Sequence, residues 1–178
     1  MSTLSELDNE DLYGQDLARS AVTYQQSVEV DVKNSEAWQN LGEARLRLGQ
    51  WAKSEEAFRR VTQLKPNSNW AYYRLGESLL KQGLFVEAEE AFSKSIGLKS
   101  DFYWSRYGLS QALSEQNQLE KAVSTLLNAT KLKPDHIFAY QLLGDLQMKQ
   151  KCWAEAVEAY ETAIKIDSKF VWAYHNLG

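Results

Sequence analysis

The phrase Trp70-Ala71-Tyr72-Tyr73-Arg74-Leu75-Gly76 returns along this chain at one interval, and that interval limits what the chain can fold into. The place of Tyr72 is held elsewhere by Trp38, Arg106, Tyr140 and Tyr174. The Leu75-Gly76 pair is matched by Leu41-Gly42, Leu109-Ser110, Leu143-Gly144 and Leu177-Gly178. Every step is 34 residues. Such a period marks a helix-turn-helix solenoid, in which each unit buries its apolar face only against its neighbours. The expected fold is all-α: a solenoid of antiparallel helix pairs, with 1–178 as one array.

The clearest unit is 35–68. Its first helix is expected from about Ser35 to Leu48 and its second from about Trp51 to Leu64. Trp38, Leu41, Ala44 and Leu48 fall at helical spacing. Gly49 follows the first helix, where a left-handed residue ends it, and Pro66 stops the second. Gly42 lies mid-helix, where glycine costs up to about 1 kcal/mol against alanine, so the second helix of the same unit is expected to come close there. Further units span 69–102, 103–136 and 137–170. Residues 1–34 read as a degenerate first unit, with a second helix from about Asp16 to Val30 and a weak leading stripe of Leu4, Leu7 and Leu12. Residues 171–178 read as an incomplete unit. That apolar half-helix makes an N-terminal piece of a longer protein the favoured expectation, against a natural short chain whose raw end meets a partner.

The pattern resembles the tetratricopeptide repeat (TPR) family, which implies an all-α, right-handed superhelical solenoid of antiparallel helix pairs. Trp38, Leu41, Gly42, Gly49, Phe58 and Pro66 match it in 35–68, with Ser54 and Val61 for the usual alanines. Tyr72, Leu75, Gly76, Gly83, Ala88, Phe92 and Ser95 match it in 69–102. Leu109, Ser110, Ala122, Leu126, Ala129 and Pro134 do so in 103–136, and Tyr140, Leu143, Gly144, Ala156, Tyr160 and Ala163 in 137–170. Trp38, Phe58, Phe92 and Tyr160 are expected to be buried. Departures are local. Arg106 holds an aromatic place, Ser100 and Ser168 replace the stopping proline, and Asn117 and Lys151 replace the turn glycine. Lys151 suits a left-handed backbone poorly, so the Lys149-Gln150-Lys151 turn is expected to be looser or differently shaped.

No catalytic site stands out, and the chain is read as a non-enzyme. Its two histidines, His136 and His175, and its single Cys152 fall apart in the repeat register, so neither a nucleophile–base pair nor metal-ligand spacing appears. No cofactor motif is present, since the glycines sit at packing and turn positions. A net charge of −4 argues against nucleic acid and against an anionic membrane. The start of the chain has no signal-peptide pattern, no apolar run approaches the roughly 20 residues of a spanning helix, and a cytoplasmic location is expected. Glu87, Glu89 and Glu90 read as a solvated face.

What remains is surface. The resemblance implies that the first helices of the units line a concave face. The residues it places there include Trp70, Trp104, Phe138 and Trp172 at one repeat position and Tyr73, Tyr107 and Gln141 at another, with Glu43, Glu77, Gln111 and Asp145 further along and Arg74 between. The large rings leave two readings open: packing onto the preceding unit, or a ladder along a groove for an extended peptide or partner helix. The carboxylates would favour basic or polar groups on that ligand. Lys–Asn carboxylate clamps of chaperone-binding arrays are not matched, because Glu43 would repel a carboxylate. The asparagine ladder of O-glycosyltransferase arrays is broken by Arg74, Gly108 and Leu142 between Asn40 and Asn176. The expected function is a protein-interaction module. The alternative is a substrate-recruiting or dimerising arm of a larger enzyme, since the phrasing is similar to segments fused to bacterial, notably cyanobacterial, transferases. Self-association through Trp172, Tyr174 and Leu177 is a further expectation.

Overall fold

The computed structural model describes residues 4–168, with side chains from residue 14 onward. The described residues form nine helices and no strand: α1 Leu4–Val30, α2 Ser35–Arg47, α3 Trp51–Leu64, α4 Asn69–Lys81, α5 Phe85–Leu98, α6 Tyr103–Glu115, α7 Leu119–Leu132, α8 Ile137–Lys149 and α9 Trp153–Ile166. The fold is an all-α array of helix pairs. It divides into two compact units, Met1–Leu84 and Phe85–Gly178. Within each, every helix packs on the next in sequence. No helix among the described residues is long and apolar enough to cross a membrane. The expected pair of helices in the first unit is replaced by one continuous helix, α1. The side chains of Leu4, Leu7, Leu12, Trp172, Tyr174, His175 and Leu177 lie outside the described residues.

The turns between paired helices share one construction. Gly49, Gly83, Asn117 and Lys151 all have positive φ, of 71°, 77°, 58° and 62°. At each, the next N–H reaches back to a carbonyl five residues earlier: Gln50 to Arg45, Leu84 to Leu79, Gln118 to Leu113 and Cys152 to Gln147, at 2.8–3.0 Å. This is the 6→1 bond that closes a helix over a left-handed residue. The Lys151 turn is therefore neither looser nor differently shaped. The hydrogen bonds hold the lysine in the conformation that glycine adopts without strain.

The cores form where a small residue meets a ring. In Met1–Leu84, a Cβ on Gly42 would lie 2.8 Å from Cζ of Phe58, which is fully buried. In Phe85–Gly178, Gly144 faces Tyr160 at 2.2 Å and Gly108 faces Phe92 at 2.4 Å in the same sense. Glycine is thus required for close approach, as the sequence implies for Gly42. Ser54 is buried where an alanine is usual, and it is satisfied: its Oγ donates to the Gly42 carbonyl at 3.0 Å and lies 2.9 Å from Ser78 Oγ. Trp38 departs from expectation. It is half-buried, because its Nε1–H turns outward to donate to the Val32 carbonyl at 3.0 Å.

Two ties repeat with the sequence period. Gln82 donates to Glu55 at 2.7 Å in one unit, and Gln116 donates to Glu89 at 2.8 Å in the other. Glu89 is accordingly a packing partner rather than part of a solvated face. The second tie explains Arg106. Its Nε and Nη2 both donate to the Ser100 carbonyl, at 3.2 and 2.8 Å, as Trp38 does to Val32. In each case the carbonyl lies six residues back, at the place where other repeats carry Pro66 or Pro134.

Candidate functional site

In the unit Met1–Leu84, the residues assigned to the ligand face gather around Arg74. Its Nη2 donates to Oε2 of Glu43 on α2 at 2.8 Å, and Nε lies 2.6 Å from Oε1 as a charge contact rather than an aligned hydrogen bond. Nη1 donates to Glu77 at 2.6 Å, one turn along α4. The guanidinium also lies over two rings, 5.4 Å from the centroid of Trp70 and 5.5 Å from that of Tyr73, and the Tyr73 hydroxyl hydrogen-bonds Glu77. Burial pulls the Arg74 pKa down, but Glu77 and Glu43 together hold it above its ordinary value. Burial pushes the Glu43 carboxyl up against the pull of Arg74. Trp70 packs edge-on against Phe58 of α3, with centroids 5.7 Å apart, so this ring serves the joint between helices.

These contacts engage the carboxylates expected on the ligand face with partners inside the protein. Glu43 and Glu77 share the single positive charge of Arg74, which leaves the ionised triad with one net negative charge. Asp145, in the other unit, accepts a hydrogen bond from the Tyr160 hydroxyl at 2.9 Å, and its carboxyl is raised by burial, which outweighs that bond and Lys149. Beside Glu43, a cleft of about 290 Å³ between α1 and α2 is lined by Leu17, Tyr24, Asn40 and Arg47.

In the unit Phe85–Gly178, Trp104, Tyr107 and Phe138 meet around a residue that the sequence reading passed over. The His136 ring lies 5.3 Å from Trp104, 5.4 Å from Tyr107 and 5.9 Å from Phe138. Its Nδ1 is 2.8 Å from the Tyr103 hydroxyl. Tyr103 in turn stacks on Tyr107 with centroids 6.0 Å apart. The cluster forms because Tyr103 and Trp104 open α6 while His136 is the residue preceding α8, so two adjoining helix starts bring their rings together. Burial lowers the His136 pKa, Lys133 lowers it further, and Asp135 opposes both. The imidazole is therefore held toward its neutral form, which suits acceptance of the Tyr103 hydroxyl proton at Nδ1. Lys133 Nζ sits 4.9 Å from the Trp104 ring and 5.8 Å from that of Tyr103.

Exposure separates the rings. Tyr103 is buried at 6%, whereas Trp104 is 39% and Phe138 56% exposed. Tyr107, Gln111 and Gln141 are half-buried. Trp70 thus follows the packing reading, while Trp104 and Phe138 present ring surface to solvent. A repeat-register signal for His136 and Lys133 exists in hindsight. Lys65, Lys99 and Lys133 recur at 34 residues, and Phe102 precedes His136 by the same step. Among the described residues no group of three or more His, Cys, Asp or Glu side chains is arranged to hold a metal ion.

Comparison with known proteins agrees with the helix pattern. Family profiles described as Tetratricopeptide repeat match residues 9–69 and 40–101, and again 79–146; one described as TPR repeat matches 152–178. No curated protein matches in sequence. Among solved structures, the chain is similar to a crystal structure of MamA, at 22% identity over 90% of this chain and 94% of that one, with a TM-score of 0.82. It is similar also to MamA from Desulfovibrio magneticus RS-1, at 21% identity, 93% and 94% coverage and a TM-score of 0.82. YrrB, described as a TPR protein with an unusual peptide-binding site, aligns at 20% identity over 94% of this chain and 87% of its own, with a TM-score of 0.78. At these identities the likeness is one of fold.

Proposed function

This chain belongs to the tetratricopeptide repeat family, and from that membership we propose that it is a non-catalytic protein-interaction module that binds a peptide or partner segment along the faces of its first helices. The observation that carries this reading is the exposure of Trp104 and Phe138. Rings that serve only a core are buried, and the array closes its core without these two. They cluster with Tyr107 and His136, so they form one continuous patch rather than scattered apolar residues. Aromatic residues are enriched among those that dominate binding energy. The similarity in fold to YrrB, a TPR protein with a peptide-binding site, supports the same direction.

Peptide display against the intact chain tests the reading. Enriched peptides are expected to bind the wild type and to lose at least about tenfold in affinity on the Trp104→Ala/Phe138→Ala double variant, the scale of losing one interface hot spot. Undiminished binding by a folded double variant would place the ligand elsewhere.

A further inference from the structure

Among the described residues Arg74, Lys99 and Lys133 lie over aromatic rings, and Arg74 and Lys133 are held very differently. Arg74 lies over Trp70 and Tyr73 and is locked by Glu43 and Glu77 on either side. One repeat later, Trp104 and Tyr107 occupy the positions of Trp70 and Tyr73, but Gly108 stands in the place of Arg74. Gly108 carries no side chain, and Phe92 fills the direction its Cβ would take. What covers Trp104 and Tyr103 instead is Lys133, arriving from the loop between α7 and α8. Lys133 makes no ion pair among the described residues. An ammonium over a partly exposed ring, without a carboxylate, is held only weakly. Its four-carbon stem leaves it free to swing away.

We propose that Tyr103, Trp104 and Tyr107 form a cation seat, that Lys133 fills it as an internal stand-in, and that an arginine of the bound partner segment displaces Lys133. The proposal rests on the interaction-module reading and names the chemistry of the partner. Arg74 supplies the internal template, because a guanidinium already lies over the equivalent Trp and Tyr in the same chain. A guanidinium is planar and weakly hydrated, so it stacks on rings better than an ammonium. Charge is complementary as well. Asp145 lies close enough to Tyr107 to act on its phenol, and a net charge of −4 draws basic segments toward the chain. The 39% exposure of Trp104 leaves the seat open to a partner.

Fluorescence anisotropy with three labelled peptides tests this: alternating arginine and leucine, alternating citrulline and leucine, and alternating serine and leucine. Citrulline keeps the planar shape and removes the charge. The arginine peptide is expected to bind most tightly. Trp104→Ala, which leaves the net charge unchanged, should weaken it about fivefold to thirtyfold, while Trp104→Phe retains part of the affinity. Lys133→Ala should tighten it about twofold to fivefold, because the internal competitor is gone. The gain should persist at high salt, where the long-range effect of removing one positive charge is screened. Equal binding of the arginine and citrulline peptides, or a Lys133→Ala variant that binds no more tightly, would overturn the seat while leaving the display-selected peptides to judge the interaction module separately. Failure of the arginine peptide to bind would overturn it too.

Discussion

At Lys151 a charged residue holds the left-handed backbone that Gly49 and Gly83 hold elsewhere. The conformation costs an L-residue about 1–2 kcal/mol. Lys151→Gly should therefore raise stability by about 1 kcal/mol, read as an upward shift of the denaturation midpoint. Gly144 makes the opposite case. A Cβ there would meet the Tyr160 ring at 2.2 Å, so Gly144→Ala should destabilise by about 1–3 kcal/mol. Gly97→Ala, with nothing within 4 Å, should not. His136 sets a pH dependence. Its folded-state pKa lies below the ordinary 6.5, so its contribution to stability is present above about pH 6.5 and is lost as pH falls through the folded value. Proton NMR of the imidazole should give a midpoint below 6.5, and Lys133→Ala should move it upward. The packing glycine at 42 is legible in the sequence because its cost mid-helix demands a reason. Arg74 is not, because its pairing with Glu43 spans 31 residues and depends on two helices lying side by side.

At the scale of the helix and its loop, Arg106 shows how a departure from pattern is compensated. It ties the Ser100 carbonyl where a proline would stiffen the chain. Arg106→Ala should lose about 0.5–1.5 kcal/mol, the net range for a hydrogen bond, because both bonds face solvent. Adding Ser100→Pro should recover part of that, and thermal melts of the single and double variants measure it. No recovery would mean that tie and proline serve different ends. The paired helices α2 to α9 are readable because the apolar spacing recurs in each repeat, and a turn glycine or a stopping proline accompanies it in all but 137–170. The merging of the first unit into one long α1 is not, since no strong breaker and no strong stripe marks residues 1–30.

At the scale of the molecule, burial and exposure divide the aromatic residues by task. Phe92 is fully buried against Gly108, and Phe92→Ala should cost about 3–5 kcal/mol. In an array each helix is stabilised by its neighbours, so hydrogen exchange should quicken in α5 and α6 together. Trp104 and Phe138 share the repeat position of Trp70, and sequence alone cannot separate them, because exposure depends on what each ring meets. The most direct measurement is the melting temperature of the Trp104→Ala/Phe138→Ala variant alongside its affinity for display-selected peptides. A melt close to wild type with at least about tenfold weaker binding is expected. A large fall in melting temperature with affinity unchanged would make these rings part of the core and contradict the interaction surface.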